Sequence, residues 1–245
     1  MVTKKIGLAF LLVLISVTGM SGCAGKGKGQ QEAEPVRVPI RKVAILPIQT
    51  PRVFTLDKSE NALLFFGVIG HVIHSASVSS KNNEFGNKMR EFTLPLGKDL
   101  MQSLQENLLA EKYEVVVLRD QDMGFADPSD FDYKKVNTDA DAIIHVIFKD
   151  AGVDSPHRSL SYKPRLNVDV NIISPRNQET IDDWSIDYGA NASKLDSGNI
   201  PADPKYAWPS FEAMMQKIPD VVEGLQQGPK LLGPHIAKTL RERNP

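Results

Sequence analysis

The chain has 245 residues, of which 41% are apolar and 24% charged, with 29 basic against 30 acidic side chains. That balance excludes the basic footprint on which nucleic-acid binding depends, and the apolar share is enough for a packed core. One cysteine leaves no intrachain disulfide to support the fold.

The amino end opens with Lys4 and Lys5 and continues into "IGLAFLLVLISV", Ile6 to Val17, which carries no charge. A basic start, a short apolar core and a small-residue exit make a secretory signal, and this core is too short for a membrane span. The exit reads Met20-Ser21-Gly22-Cys23. It resembles the lipobox of bacterial lipoproteins, in which an apolar residue and small residues precede the cysteine that is acylated. The resemblance implies cleavage after residue 22, acyl chains on Cys23 and a lipid bilayer as the first partner. It also accounts for a lone thiol in an exported protein, since oxidising compartments favour paired cysteines. Ala24, in place of the aspartate that resembles an inner-membrane retention signal, points to the outer membrane of a Gram-negative envelope, with the domain in the periplasm. Removing residues 1–22 takes away two lysines and no acid, so the mature charge falls to about −3.

Residues 23–40 include "AGKGKGQQEAEPVRVP", rich in glycine and charge and without apolar periodicity. Such a segment cannot bury enough surface to offset its ordering entropy, so a flexible tether is expected there. The domain is expected to occupy residues 41–245. "KVAILPI", Lys42 to Ile48, reads as a buried strand that ends at a proline. Residues 50–93 then read as an insertion that contains "NALLFFGVIGHVI", Asn61 to Ile73, apolar at nine positions. Gly67 and Gly70 would let another helix approach closely. Core and contact surface are both open for this run, and Phe65, Phe66, Val68 and Ile69 are its candidate interaction residues.

In "LGKDLMQSLQENLLAEKY", Leu96 to Tyr113, the residues Leu96, Leu100, Leu104 and Leu108 recur every four positions, with Met101 and Leu109 widening the stripe. This predicts an amphipathic helix. "EVVVL", Glu114 to Leu118, and "AIIHVIF", Ala142 to Phe148, read as buried strands. Strict alternation in "LNVDVNI", Leu166 to Ile172, the turn formers of "SPRNQE" and renewed alternation in "TIDDWSIDY", Thr180 to Tyr188, predict an antiparallel hairpin. Two helices are expected to close the chain, Pro209 to Gly224, interrupted by Pro219, and Pro229 to Arg243 after Gly228. The fold class expected is α+β: a mixed sheet with helices packed on it.

"RKVAILPI", "DADAIIHVIF" and "ISPRNQETIDDWS", in that order on a lipoprotein, resemble the amino-terminal domain of TolB and the periplasmic domains of the CsgG and LpoB lipoproteins. The resemblance implies an envelope component that works by binding a protein partner or a second copy of itself. It does not carry a function by itself, because a fold hosts many.

Catalytic constellations are sparse. His71 and His74 share a helix face but lack further ligands, so a metal site is not expected. The loop "RDQDMGFADPSDFDYKKVNTDAD" holds Asp120, Asp122, Asp127, Asp130, Asp132, Asp139 and Asp141 without the register of a calcium loop. Asp130 is a candidate cap for a short helix at Phe131. His145, inside a strand, reads as a satisfied core or edge histidine. Asp169 with Asp183 or Asp187 could pair on the wet face of the hairpin for hydrolysis, although alternation alone places polar groups there. Nucleophile-elbow, phosphate-loop and dinucleotide fingerprints are absent from the sequence. A non-catalytic component without cofactor is therefore expected, with an envelope hydrolase and a CsgG-like secretion subunit as alternatives.

The anchor is tested directly. A fatty-acid probe should label the wild-type protein in cells, and Cys23→Ser should release it or trap its precursor. An unlabelled, soluble wild-type product would refute acylation.

Overall fold

A computed structural model of the chain describes residues 39–58, 79–118, 131–155, 161–190 and 198–244. The signal, Cys23, the tether up to residue 38 and the run Asn61 to Ile73, including Phe65, Phe66, Val68 and Ile69, lie outside the described residues. So do His71, His74, Asp120, Asp122, Asp127 and Asp130.

The described elements follow the order β1 (Lys42–Ile45), β2 (Thr55–Lys58), α1 (79–89), α2 (Leu96–Ala110), β3 (Glu114–Val117), a 3-10 turn (Tyr133–Lys135), β4 (Ala142–Ser155), β5 (Lys163–Ile173), β6 (Thr180–Gly189), a second 3-10 turn (Pro204–Tyr206), α3 (Phe211–Met215) and α4 (Ile218–Arg243). Six strands form one mixed sheet in the order β3-β1-β4-β5-β6, with β2 also on β4. This is the α+β architecture expected from the pattern.

β4 organises the sheet. Its first residues pair in parallel with β1, Val43 opposite Ala142 and Ile45 opposite Ile144. Its last residues pair in parallel with β2, Thr55 opposite Gly152 and Lys58 opposite Ser155. Both partners use the same side of β4, because β5 runs antiparallel along the other. The apolar run at Ala142 to Phe148 is thus only half of a 14-residue strand. The second half escapes hydropathy reading because a register shift between Phe148 and Asp150 interrupts its alternation. β2 approaches so closely that a methyl at Gly152 would stand 1.9 Å from the Thr55 carbonyl oxygen. The insertion expected at 50–93 is therefore partly structural. Leu56 of β2 and Phe85 and Met89 of α1 belong to the main core.

The helices cover one face. Leu96, Leu100, Leu104 and Leu108 of α2 are fully buried, as their spacing predicts. Leu109 is a correction: it is 52% exposed and does not join the stripe. Pro95 supplies no side-chain cap to α2. The Thr50 hydroxyl instead accepts from the Gly97 amide at 3.0 Å, an external cap for the first turn. At the other end Lys112 takes the left-handed conformation, φ 69°, and the Tyr113 amide returns to the Leu108 carbonyl at 3.0 Å. That closure usually employs glycine.

The carboxyl-terminal region also differs from expectation. The break expected at Gly228 is not there: α4 is one helix of 26 residues with Pro229 and Pro234 inside it. A proline removes a backbone donor. Here Val221, Leu225, Leu232, Ile236 and Leu240 lie buried on both sides of the interruption, so packing carries the helix through. The Tyr188 phenol donates to the Gly224 carbonyl at 2.8 Å within the core. Burial raises the Tyr188 pKa well above its ordinary value, so the phenol stays a donor.

Among the described residues, the opposite face is covered only in part. Ala44, Leu46, Val136, Ala140, Ile143 and Ile173 form a smaller cluster beneath Leu118, Phe131 and Tyr133. The cap of the short turn here is Asp132, which accepts from the Lys134 amide at 3.2 Å; the candidate Asp130 is outside the described residues. The open edge of β6 is blunted twice. Ile200 bonds Asp187 and Gly189 at 2.8 Å each, and Asp182 accepts both the Asp183 amide and Arg243, at 2.9 Å each. A charged plug of this kind discourages strand addition.

The α2–α4 crossing offers a stability test. A methyl at Gly233 would lie 2.3 Å from the Ser103 hydroxyl and 2.7 Å from its backbone carbonyl carbon. Gly233→Ala should cost about 1–3 kcal/mol in denaturant unfolding. Ser103→Gly should not restore the loss, since the backbone contact remains.

Candidate functional site

Alternation in β5 sends Leu166, Val168, Val170 and Ile172 into the main core and Asn167, Asp169 and Asn171 to the opposite face. β6 does the same, with Ile186 and Tyr188 inward and Asp183, Ser185 and Asp187 outward. The pairing sets Asn167 opposite Asp187, Asp169 opposite Ser185 and Asn171 opposite Asp183. The three hairpin aspartates do share one face, as the alternation predicts. Among the described residues none of the three carboxylates is hydrogen-bonded to another. Asp183 and Asp187 sit diagonally from Asp169, a spacing of about 7–8 Å between backbones.

Each engaged carboxylate has a donor for its neighbour. Asp169 accepts from the Ser185 hydroxyl at 2.6 Å and lies 3.7 Å from the Lys149 ammonium. Asp187 accepts from the Asn167 amide at 2.8 Å. This is a ladder of polar cross-strand pairs, which fixes register and keeps the face wet.

At one end of the face an aromatic group closes over β4. His145 is 4% exposed. Its Nδ1 lies 2.8 Å from the Tyr133 hydroxyl, and the Phe131 ring meets both, with centroids 5.5 Å from His145 and 4.9 Å from Tyr133. His145 is thus the satisfied histidine that its place in a strand suggests.

At the other end stands a group that the sequence reading missed. Arg165 reaches Asp150 at 2.6 Å and Asp154 at 3.6 Å, and the Thr55 hydroxyl donates to Asp150 at 2.7 Å. Arg165 and Asp154 keep only 18% and 5% of their side-chain surface. The charges are nearly buried, so their mutual contact is what makes their burial tolerable. Two aspartates four apart around Gly152 were a visible signal. Their partner was not, because the bulge in β4 sets the register that brings Arg165 to them.

Among the described residues, no group of three or more His, Cys, Asp and Glu side chains could hold a metal ion. Nor is any described helix long and apolar enough to cross a membrane.

No family model matches the chain, and no curated protein sequence does. Solved structures give loose likenesses. A Xanthomonas campestris protein of family DUF330 superposes with a TM-score of 0.43 and 9% identity, over 83% of this chain and 85% of that one. A lipoprotein from Neisseria meningitidis gives 0.32 and 10%, over 60% and 80%. A neuraminyllactose-binding hemagglutinin homolog from Helicobacter pylori gives 0.36 and 14%, over 86% and 91%. Scores of this size assign neither family nor function.

The aromatic end is testable. Tyr133→Phe removes the hydroxyl from a buried imidazole nitrogen and should cost about 1–3 kcal/mol in thermal or denaturant unfolding. An unchanged midpoint would mean that the hydroxyl is replaced by water without loss.

Proposed function

We propose that the chain is an outer-membrane lipoprotein whose periplasmic domain, of TolB-amino-terminal-like type, is a non-catalytic binding component of a cell-envelope assembly. The observation that carries this reading is Cys23, the only thiol, placed at a lipobox-like exit after a basic and apolar leader. Two acyl signals or more make an anchor stable where one does not. The cross-strand donors of Asp169 and Asp187 fit a fixed polar binding face.

The contact surface proposed is the run centred on Phe65, Phe66, Val68 and Ile69, because an apolar segment beyond the needs of the core marks an interaction site when it is exposed. Its partner is a second copy or another envelope protein. Phe66→Asp and Ile69→Asp should leave the melting temperature almost unchanged and abolish the crosslink that a photoreactive residue at position 65 forms in intact cells. If instead both variants melt early, the segment is core, where a buried phenylalanine is worth about 3–5 kcal/mol.

A further inference from the structure

Among the described residues the sheet has three open sides, and two of them are defended. β6 is closed by Ile200 and by Asp182 with Arg243. β2 pairs only with β4, and on its far side the Leu56 amide donates to the Asn82 side chain of α1 at 3.1 Å. The third side is β3, the outermost strand beyond β1.

β3 bonds β1 through its even-numbered residues. The Glu114 amide donates to the Arg41 carbonyl at 2.9 Å and the Leu118 amide to the Ile45 carbonyl at 3.0 Å. Neighbouring residues of a strand turn their backbone groups to opposite sides, so the amides and carbonyls of Val115 and Val117 face away from the sheet. Among the described residues no group bonds them.

The side chains along this edge are apolar and only half covered. Val115, Val116, Val117 and Leu118 follow one another without a proline, a bulge or a lysine to deter pairing. Val115 and Val117 lean on the main core and Leu118 on the smaller cluster. α2 adds to the strip. It turns Ser103 to Gly233 and Glu111 to Arg241. Leu109, roughly 120° or more round the helix from each, is on the side turned from α4 and 52% exposed.

We infer that β3 is the seam of a reversible dimer, in which β3 of a second copy adds to it antiparallel about a two-fold axis at Val116. In that register Val115 of each copy stands opposite Val117 of the other. All the outward groups of both valines are then used, in four hydrogen bonds. A slip of two residues would pair only one residue of each strand within β3. Val116 meets Val116 of the second copy at the close, non-hydrogen-bonded position, a favourable β-branched pair. The charges permit the pairing. Glu114 is held by Lys42 at 2.9 Å and stands opposite Leu118 of the second copy, with the two Glu114 about 13 Å apart along the strands. The exposed cations Lys98 and Lys112 belong to the two ends of α2, outside the paired residues. A seam this short is below the size of a permanent interface, so the dimer is of the transient class. It needs neither the anchor at Cys23 nor the run at Phe65.

The experiment uses the full chain, purified in detergent, with Cys23→Ser so that an introduced cysteine is the only thiol. Under mild oxidation Val116→Cys should give a disulfide-linked dimer, because residues at this position approach to about 4.5 Å between backbones. Val115→Cys, two residues out of register with its own counterpart, should link on the order of 10-fold more slowly. Val117→Pro removes an outward amide without touching the ladder to β1. Added to Val116→Cys, it should slow linkage on the order of 10-fold and leave the melting temperature of dilute protein unchanged. In the unsubstituted chain, the Val115 and Val117 amides should exchange freely when dilute and slow down on concentration. No linkage at position 116, equal linkage at 115, or linkage indifferent to Val117→Pro would overturn the inference. So would amides protected equally at every dilution, since the edge would then be covered within one chain. Should Val117→Pro melt early, Val116→Lys takes its place in sedimentation: it sets like charges opposite each other across the axis, and self-association as strong as that of the unsubstituted chain would overturn the seam.

Discussion

The single strand β4 is the constraint from which the rest of the architecture follows. One of its sides must serve two parallel partners in succession, β1 and then β2, while β5 takes the whole of the other. Chain between β1 and β2 therefore has to leave the sheet and rejoin it farther along, which it does through Ile48 to Phe54. Gly97 and Gly152 sit where that excursion leaves no room for a side chain, at 2.2 Å from the Ile48 oxygen and 1.9 Å from the Thr55 oxygen. A strand that long also needs a cover of equal length. α4 provides it over the neighbouring β5 and β6, with Gly228 against Leu166 and Tyr188, and that is a physical reason for a helix that continues past two prolines.

Burial is divided unequally between the two faces. The helical face holds almost every large apolar side chain of α1, α2, α4 and the inward rows of β5 and β6. The opposite face has a small cluster at one end, a nearly buried charge group at the other and polar ladder pairs between. A sheet face left wet is tolerated because Asn, Asp and Ser pair across the strands, so that no backbone is asked to face an apolar partner. The ladder accounts for the placement of Asp169 and Asp187. It equally leaves a flat, hydrogen-bonding surface on a rigid frame.

How much of this could be read from the residues depends on the range over which each feature is determined. The four-residue leucine repeat of α2 and the alternation of β5 and β6 are local patterns, and both are found in the structure. The continuity of α4 is not local: Pro229 and Gly228 signal a stop, and only the sheet beneath overrules them. Leu109 fits the helical period but falls beyond the edge of the partner surface, which the period cannot know. The Arg165 group was invisible for a related reason, since one bulged position in β4 decides which β5 side chain stands over Asp150 and Asp154. β2 and α1 were hidden inside a stretch whose composition suggested an ornament to the fold, although Phe85 and Met89 have no exposed surface at all.

The closure of the domain bears on how its two ends differ. Residue Ile40 is bound by Asn244, and the backbone of Arg41 and Lys42 by Asp141, so the first and last described segments lock each other. The helix terminus beside them is tied to the hairpin by Arg243, whose guanidinium lies 4.8 Å over the Trp184 ring while bonding Asp182. Force or restraint applied through the amino-terminal segment is thus delivered to β1, α4 and β6 together rather than to a single strand. The opposite end is held by long-range contacts as well: the Lys81 ammonium lies over the Phe211 ring and bonds Glu212, Tyr162 bridges to Trp208, and short α3 is capped by the Ser210 hydroxyl. The two ends differ instead in what they tie: the first closes the first and last described segments on each other, and the second fastens the segment around α3 to α1 and to the start of β5.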